Sequence, residues 1–213
     1  HGTHVAGTVA AVNNNGIGVS GIAGGSGKND GVKIMSCQIF EGGDGASLSA
    51  IAKAFEWAAD NGACIAQCSF GRVSGDYKND GAYTSLAKVE VDAINYFISK
   101  SNCAAMDGGL VIVAAGNDGN SSPCYPAAYD SVVGVGSLTK NNLLAASSQY
   151  GESVYVTAPG AGVVSTDSSS NGYKRSSGTS FASPEAAALA AMARAIDPSM
   201  DQDGFKKLLR DTC

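Results

Sequence analysis

The sequence has only two histidines, His1 and His4, and it lacks any run of 18 uninterrupted apolar residues. Without such a run, no segment is predicted to span a bilayer as a helix. Basic residues are scarce, 14 against 19 acidic ones, and they form no cluster. A net charge of −5 without a basic cluster argues against nucleic acid or an anionic membrane as a partner. The six cysteines form no Cys-x-x-Cys pair and no cluster with histidine, so no zinc site is predicted.

The length and the apolar content indicate a single domain. A chain of 213 residues can bury a sizeable core, and 44% of its residues are apolar while only 15% are charged. The 28 glycines accompany apolar runs that persist along the whole chain, which is typical of a loop-rich α/β fold rather than of disorder. We therefore expect one domain over residues 1–213.

Apolar runs of strand length alternate with helical patterns. The predicted strands are residues 32–40, 64–69, 110–115, 132–135 and 154–158. The predicted helices are residues 1–11, 47–59, 85–99 and 180–196. Because the strands are continuously apolar rather than alternating, they are expected to be buried on both faces. The pattern predicts an α/β fold of three layers, with helices on both faces of a mostly parallel sheet.

Polar side chains of three kinds stand at the ends of these predicted elements. Ser180, in Gly-Thr-Ser-Phe-Ala-Ser-Pro, opens a helix, where unpaired N–H groups and the helix dipole favour negative charge. Asn117 closes the buried strand in Ala-Ala-Gly-Asn, and both histidines lie in the opening His-Gly-Thr-His. A serine, a histidine base and an amide donor are the parts of an acyl-transfer site.

The motifs HGTHVAGT, AAGN and GTSxASP occur here in the order and with the spacing seen in subtilisin-like serine proteases. The chain resembles that family, the subtilases, from His1 to about residue 195. The resemblance implies that His1 is the general base, Ser180 the nucleophile and Asn117 the side-chain oxyanion donor. It also implies a serine endopeptidase that acts on polypeptides and works outside the cell or at its surface.

The resemblance further implies which residues bind the substrate. One segment pairs with the extended peptide, a second forms the opposite edge of the cleft, and a third is a wall of the pocket for the residue before the scissile bond. In that order they are Asp44, Gly45 and Ala46; Ser69, Phe70 and Gly71; and Ala114, Ala115 and Gly116. Glycine suits the first two segments because another backbone must approach closely. The small residues of the third segment leave room for a large side chain.

The family's catalytic aspartate lies in an Asp-Thr-Gly or Asp-Ser-Gly motif before the histidine. This chain begins at His1, so we expect the aspartate, together with two strands of the sheet, to lie upstream in a longer parent. The Asp-Gly pairs at residues 44, 80 and 203 do not directly follow an apolar strand, which disfavours a permuted copy. The isolated chain is predicted to be feebly active and to dimerise or to bind a complementing N-terminal segment. A non-catalytic peptide-binding fragment or degenerate homologue is the alternative.

No cofactor is expected to be required. Residues 13–19 resemble a family loop that binds calcium through carbonyls and an asparagine, which are oxygen ligands of the right type. The loop carries one extra residue, and the family's acidic ligand lies before the histidine. Calcium is therefore an expectation for the full-length parent, and no metal ligand is assigned within this chain.

The remaining predictions concern cysteines and neighbours of the motifs. Cys37, Cys64 and Cys68 fall in predicted strands and are interpreted as small buried apolar residues. Two cysteines in polar loops, at 103 and 124, either stay free or form a disulfide in an oxidising compartment. His4 is expected to be structural. Glu185 is interpreted as a carboxylate favoured by the first turn of its helix, and the resemblance implies a cis bond before Pro126.

Overall fold

The computed structural model describes residues 1–42, 45–100, 108–169 and 172–213. The helices are α1 (Gly2–Ala10), α2 (Leu48–Asp60), α3 (Asp80–Leu86), α4 (Lys88–Lys100), α5 (Thr179–Ile196) and α6 (Gln202–Thr212). The strands are β1 (Ile65–Cys68), β2 (Leu110–Ala114), β3 (Val133–Leu138), β4 (Val156–Pro159), β5 (Val163–Thr166) and β6 (Tyr173–Ser176). In the described ranges, none of the helices is both long and apolar enough to cross a bilayer.

Strands β1 to β4 form a parallel sheet in the order β1-β2-β3-β4, and β5 and β6 form an antiparallel hairpin. Every residue of β2 is buried, as its continuous apolar sequence Leu-Val-Ile-Val-Ala predicts for a strand covered on both faces. Four of the five predicted strands are present in this sheet. The predicted α/β fold with a mostly parallel sheet is therefore confirmed.

Alternate side chains of β2 enter two different cores, because successive residues of a strand point to opposite faces. Val111 and Val113 pack with Phe55 of α2 and Phe97 of α4 on one face. Leu110 and Ile112 pack on the other face with alanines of α5 and with Phe205 of α6. The small alanine side chains allow α5 to lie close to the sheet. The order of layers is thus helices, sheet, helices, as expected.

Residues 32–40 were expected to be a strand, and this prediction is wrong. The segment has no strand structure, and Ile34, Met35 and Phe40 are 49%, 37% and 43% exposed. Among the backbone hydrogen bonds of the described residues, only Val32 of this segment takes part, donating its N–H to the Ala23 carbonyl. An apolar sequence becomes a strand only when a neighbouring strand supplies hydrogen-bond partners, and this segment faces a groove instead.

The helical predictions are confirmed in outline and corrected in detail. The pattern at 85–99 is divided at Ala87 into α3 and α4, and α3 begins after Asn79, whose side chain accepts a hydrogen bond from the Ala82 N–H. Helix α6 was not predicted. Its apolar residues are few, and its burial depends on Phe205 and Leu209 reaching the core formed with α5.

The cysteines differ in part from their interpretation. Cys68 is buried and free, as expected, but Cys37 is exposed and Cys64 is disulfide-bonded. Cys124 is a buried free thiol that donates to the Arg72 carbonyl oxygen at 3.2 Å, so its pairing with Cys103 is excluded. Cys103 itself lies outside the described residues.

Candidate active site

Ser180 is the second residue of α5, half-buried, and the local sequence explains its position at the start of that helix. The helix is preceded by Gly178, whose φ of 143° is a conformation that favours glycine. Pro184 has no N–H to donate to the Ser180 carbonyl, and the Ser69 hydroxyl donates to that oxygen instead, at 2.8 Å. The Ser180 hydroxyl lies 3.5 Å from the Ser69 carbonyl oxygen, at the edge of a pocket.

Asn117 is held against the start of α5. Its Oδ1 accepts a hydrogen bond from the Thr179 N–H at 2.8 Å and from the Thr179 hydroxyl at 3.2 Å. Its Nδ2 makes no hydrogen bond to any residue that the structure describes, so the amide keeps a free donor. Gly116 precedes it with a φ of 110°, and a Cβ there would lie 2.7 Å from Cγ of Gln149. Only glycine fits at this position.

A pocket of about 400 Å³ lies between the loops that follow β1 and β2, at the carboxyl ends of these strands. It brings together most of the residues that the sequence singled out, namely Ser69, Phe70, Gly71, Ala114, Gly116, Asn117 and Ser180. Ala115 lies behind the pocket wall, fully buried, with its N–H bonded to the Val135 carbonyl. Gly45 and Ala46 do not line the pocket, and Asp44 lies outside the described residues.

His1 is the N-cap residue of α1. Its side chain is exposed and lies beside the amino end of α5. Its ring centroid is 5.5 Å from that of Phe181, the residue after Ser180. No hydrogen bond joins His1 to Ser180 in the described part of the chain. His1 instead lines a larger groove, of about 1100 Å³, which runs between β1 and residues 32–40. The structure thus brings His1, the predicted base, near the start of α5 without placing it against Ser180, the predicted nucleophile.

The chain matches the subtilase family of the S8 peptidases over residues 1–213. The chain belongs to the subtilase family. Subtilisin BL from Lederbergia lenta is 38% identical over 213 residues, which are 100% of this chain and 69% of that protein. Alkaline elastase YaB from Bacillus sp. strain YaB is 35% identical over 212 residues, and the chain spans only 49% of its length.

Solved structures agree with this assignment. A protease from Pseudoalteromonas arctica superposes with a TM-score of 0.78 at 33% identity, over 100% of this chain and 63% of that one. A cold-adapted subtilisin-like serine proteinase gives a TM-score of 0.69 at 28% identity, over 99% of this chain and 67% of that one. Because the chain spans between about half and two thirds of these subtilases, an activity of the whole protein is a matter for proposal.

A buried ion pair includes one residue that lines the pocket, and the sequence analysis missed it. Arg72, which lines the pocket, donates from Nη2 to Oε2 of Glu90 at 2.7 Å, and Glu90 is fully buried. Burial, with the Glu90 charge as the second cause, holds the pKa of Tyr83 well above its usual range. The sequence did contain a sign of this pair, because Glu90 is an acidic residue on the apolar face of the predicted helix, four residues before Ile94. Its partner could not be found, because Arg72 lies 18 positions away in a loop.

Cys124 contributes a neutral wall to the same pocket. Burial raises the pKa of its thiol to about 11, so the thiol stays protonated at neutral pH. The next peptide bond, Tyr125–Pro126, is cis, as the resemblance implied. Within the described ranges, no group of three or more His, Cys, Asp or Glu side chains is placed to hold a metal ion.

His4 is structural, as expected, and it joins α1 to the β5–β6 hairpin. The side chain is buried, and its Nε2 lies 3.2 Å from the Val163 carbonyl and 3.1 Å from the Lys174 carbonyl. Its ring also packs edge-on against Phe181, with the ring centroids 4.5 Å apart. The hairpin and the start of α5 are therefore both held by the helix that His1 caps.

Glu185 was interpreted as a first-turn carboxylate, and this interpretation is wrong. Helix α5 begins at Thr179, so Glu185 lies beyond its first turn, which contains no acidic residue. Burial raises the pKa of Glu185 to about 7, and no hydrogen bond to a described residue offsets the burial. The carboxylate is therefore destabilising when ionised.

We expect Glu185→Gln to stabilise the protein above pH 7 and to have little effect near pH 4. The unfolded carboxyl loses its proton near pH 4.3, whereas the folded one keeps it to about pH 7, so wild-type stability falls as pH rises between these values. Glutamine is neutral at both pH values, so the variant does not lose stability as the pH rises. Because the side chain is partly exposed, water screening limits the gain to about 1 kcal/mol. Thermal unfolding at both pH values measures it.

The matched control is Glu56→Gln on the exposed face of α2. It is expected to shift Tm equally little at both pH values. A Glu185→Gln variant with the same Tm as wild type at pH 8 would show that the carboxylate is not destabilised by its surroundings.

Proposed function

We propose that residues 1–213 are the catalytic part of a serine endopeptidase that hydrolyses peptide bonds through an acyl-enzyme. Ser180 is the nucleophile, His1 the general base, and the Asn117 amide with the Ser180 N–H forms the oxyanion hole. The observation that carries this proposal is the hydrogen bond from the Thr179 N–H to Oδ1 of Asn117, at 2.8 Å. It fixes the amide beside the start of α5 and leaves Nδ2 free to donate.

In this mechanism the Ser180 hydroxyl oxygen attacks the peptide carbonyl carbon while His1 takes the hydroxyl proton. The carbonyl oxygen becomes an oxyanion that accepts from Nδ2 of Asn117 and from the Ser180 N–H, which has no partner inside its helix. His1 then gives its proton to the leaving amine, and the C–N bond breaks to leave an acyl-serine. Water, deprotonated by His1, hydrolyses this ester and returns the site to its initial state.

The mechanism needs an aspartate to orient His1, and we propose that it is supplied by a segment before His1. Without a carboxylate on its other ring nitrogen, the base adopts the wrong tautomer. The term parent polypeptide is used below for a protein in which such a segment precedes residues 1–213. The absence of a bond between His1 and Ser180 in the described residues is consistent with a base that still needs this partner.

The groove beside β1 supports the same proposal, and we propose it as the place of an added strand. β1 is an edge strand, and residues 33–40 across the groove donate no backbone hydrogen bond to a described residue. The walls include Val5, Phe55 and Ala187. An apolar strand that enters here pairs the exposed edge and buries these walls. We propose the complementing N-terminal segment as its source, and a second copy of the chain in a dimer as the alternative.

The substrate is proposed to be an extended polypeptide. The pocket lies next to both Ser180 and Asn117, so it is the place for the side chain that precedes the scissile bond. Ser69, Phe70 and Gly71 are proposed as one edge of the cleft for the peptide backbone. From the resemblance alone, the segment Asp44, Gly45 and Ala46 is proposed to pair with the peptide on the other side. We also propose an extracellular or cell-surface location, because the chain belongs to the subtilase family.

No cofactor is required for this chemistry. The loop at residues 13–19 contains no acidic residue, and Oδ1 of Asn15 is already bonded to the Ile17 N–H at 2.9 Å. Oδ1 of Asn13 is buried and has no partner, so it is an oxygen that a cation could use. These neutral ligands do not fit Ca²⁺ by themselves, since the ion favours carboxylates. We propose calcium only for the parent polypeptide.

Asn117→Ala in the parent polypeptide tests the proposal. We expect kcat to fall by roughly 10²–10³ while KM stays nearly unchanged, because the donor acts on a charge that exists only after attack. This magnitude is the one known for the side-chain donor of subtilisin. Steady-state hydrolysis of a peptide substrate gives both constants. A large rise in KM with kcat preserved would make Asn117 a ground-state contact and would support peptide binding without catalysis.

The matched control is Asn95→Ala on α4. Its Oδ1 accepts from the Tyr129 hydroxyl at 3.2 Å, so the substitution also removes an amide with a hydrogen bond but lies away from the pocket. Both kcat and KM are expected to stay at the wild-type values.

A further inference from the structure

Gln149 is a fully buried glutamine that holds the loop carrying Asn117. Its Oε1 accepts hydrogen bonds from the backbone N–H groups of Asp118 at 3.1 Å and Asn120 at 3.2 Å. These N–H groups belong to the first and the third residue after Asn117, the proposed oxyanion donor. In a loop without helix or strand partners, such bonds decide the path of the backbone.

The other end of the same amide ties this loop to the one that follows β1. Nε2 of Gln149 lies 3.0 Å from the Ser74 hydroxyl, 3.1 Å from Oδ1 of Asn120 and 2.9 Å from the Ser122 carbonyl. The Ser74 hydroxyl in turn donates to the Asp118 carboxylate. The pocket lies between these two loops, so one side chain sets the distance between its walls.

Gln149 also contacts the residue before Asn117. Its backbone N–H donates to the Gly116 carbonyl at 3.0 Å, and its Cγ lies 2.7 Å from the position that a Cβ of Gly116 would occupy. The backbone of Asn117 is therefore held on both sides, at Gly116 and at Asp118, by the same glutamine.

We propose that Gln149 is a positioning residue for catalysis, which acts by fixing Asn117 in the geometry that receives the oxyanion. The inference rests on the proposed function. Burying an amide is costly unless its hydrogen bonds are made, and an apolar side chain of similar size, such as methionine, would fill the same space. What methionine would not supply is the pair of bonds to Asp118 and Asn120, and these determine where the Asn117 amide points.

A double-mutant cycle in the parent polypeptide tests this role. Gln149→Met is expected to lower kcat by about 10²-fold, the loss that a displacement of about 1 Å produces, with KM changed less than about twofold. If Gln149 acts through Asn117, the two effects are not additive. In the Asn117→Ala background, Gln149→Met should then lower kcat by less than about threefold.

Gln202→Met is the matched control, because it replaces another buried glutamine that binds a backbone. Its Oε1 accepts from the Val111 N–H at 3.0 Å, near the amino end of β2 and away from the pocket. It is expected to lower Tm and leave kcat unchanged. Gln149→Leu, which also removes the acceptor for the Asp118 and Asn120 N–H groups, serves in the same cycle if the methionine variant does not fold.

The outcomes separate the inference from the function on which it rests. A Gln149 variant that lowers kcat by the same factor with and without Asn117 overturns the positioning role, as does one whose kcat equals that of Gln202→Met. If Asn117→Ala leaves kcat unchanged, the oxyanion assignment itself fails, whatever Gln149 does. A loss of kcat that occurs only in the enzyme that retains Asn117 supports both the positioning role and the oxyanion assignment.

Discussion

Ser180→Ala is expected to reduce peptide hydrolysis by the parent polypeptide by about 10⁶-fold, the effect known for the nucleophile in subtilisin. Alanine has no oxygen to form the acyl-enzyme, and the catalysis that remains comes from substrate binding and the oxyanion hole. The structure favours this serine over others because only Ser180 combines the first turn of α5 with the wall that contains Asn117. Single-turnover hydrolysis of a peptide substrate measures the loss.

A fluorophosphonate provides the complementary measurement, since it labels an activated serine. The label is expected on Ser180 and is expected to disappear in Ser180→Ala. Ser85→Ala, an exposed serine on α3, is the control and should keep both the rate and the label. A Ser180→Ala enzyme with the wild-type rate would remove the nucleophile assignment.

The sequence was sufficient to predict those parts of the fold whose cause is local. The apolar run Leu110–Ala114 can only be satisfied by burial on both faces, and the structure buries all of it. Likewise, Ser180 was predicted to open a helix, and α5 begins one residue before it, at Thr179.

The missed features all depend on partners that are distant in sequence. Residues 32–40 have the composition of a strand, but no described strand lies beside them to pair with. Glu90 is buried because Arg72 reaches it from a loop, and Gln149 gains its role from loops about 30 and 75 positions away. Composition and periodicity describe what a segment can bury, whereas these contacts depend on which loops the fold brings together.

A preparation of residues 1–213 alone is expected to hydrolyse peptides about 10⁴-fold more slowly than the parent polypeptide, as for proteases that lose the carboxylate partner of histidine. His1 lies within reach of the start of α5, but no described residue offers it a carboxylate. The open groove adds a second defect, because among the described strands none pairs with the outer edge of β1, which lies next to apolar side chains. Turnover of an unstructured protein substrate measures the rate, and size exclusion with light scattering measures the oligomeric state.

Adding the segment that carries the aspartate, as a separate peptide, is expected to restore a substantial part of the activity and to convert dimers into one-to-one complexes. The matched control is the same peptide with asparagine in place of the aspartate. It should fill the groove beside β1 and raise Tm by mass action without restoring turnover, which separates the structural loss from the catalytic one. If both peptides restored turnover equally, the carboxylate would not be what the site lacks. A well-folded monomer of residues 1–213 that cleaves at the parent rate would show that the carboxylate partner of His1 comes from within these residues.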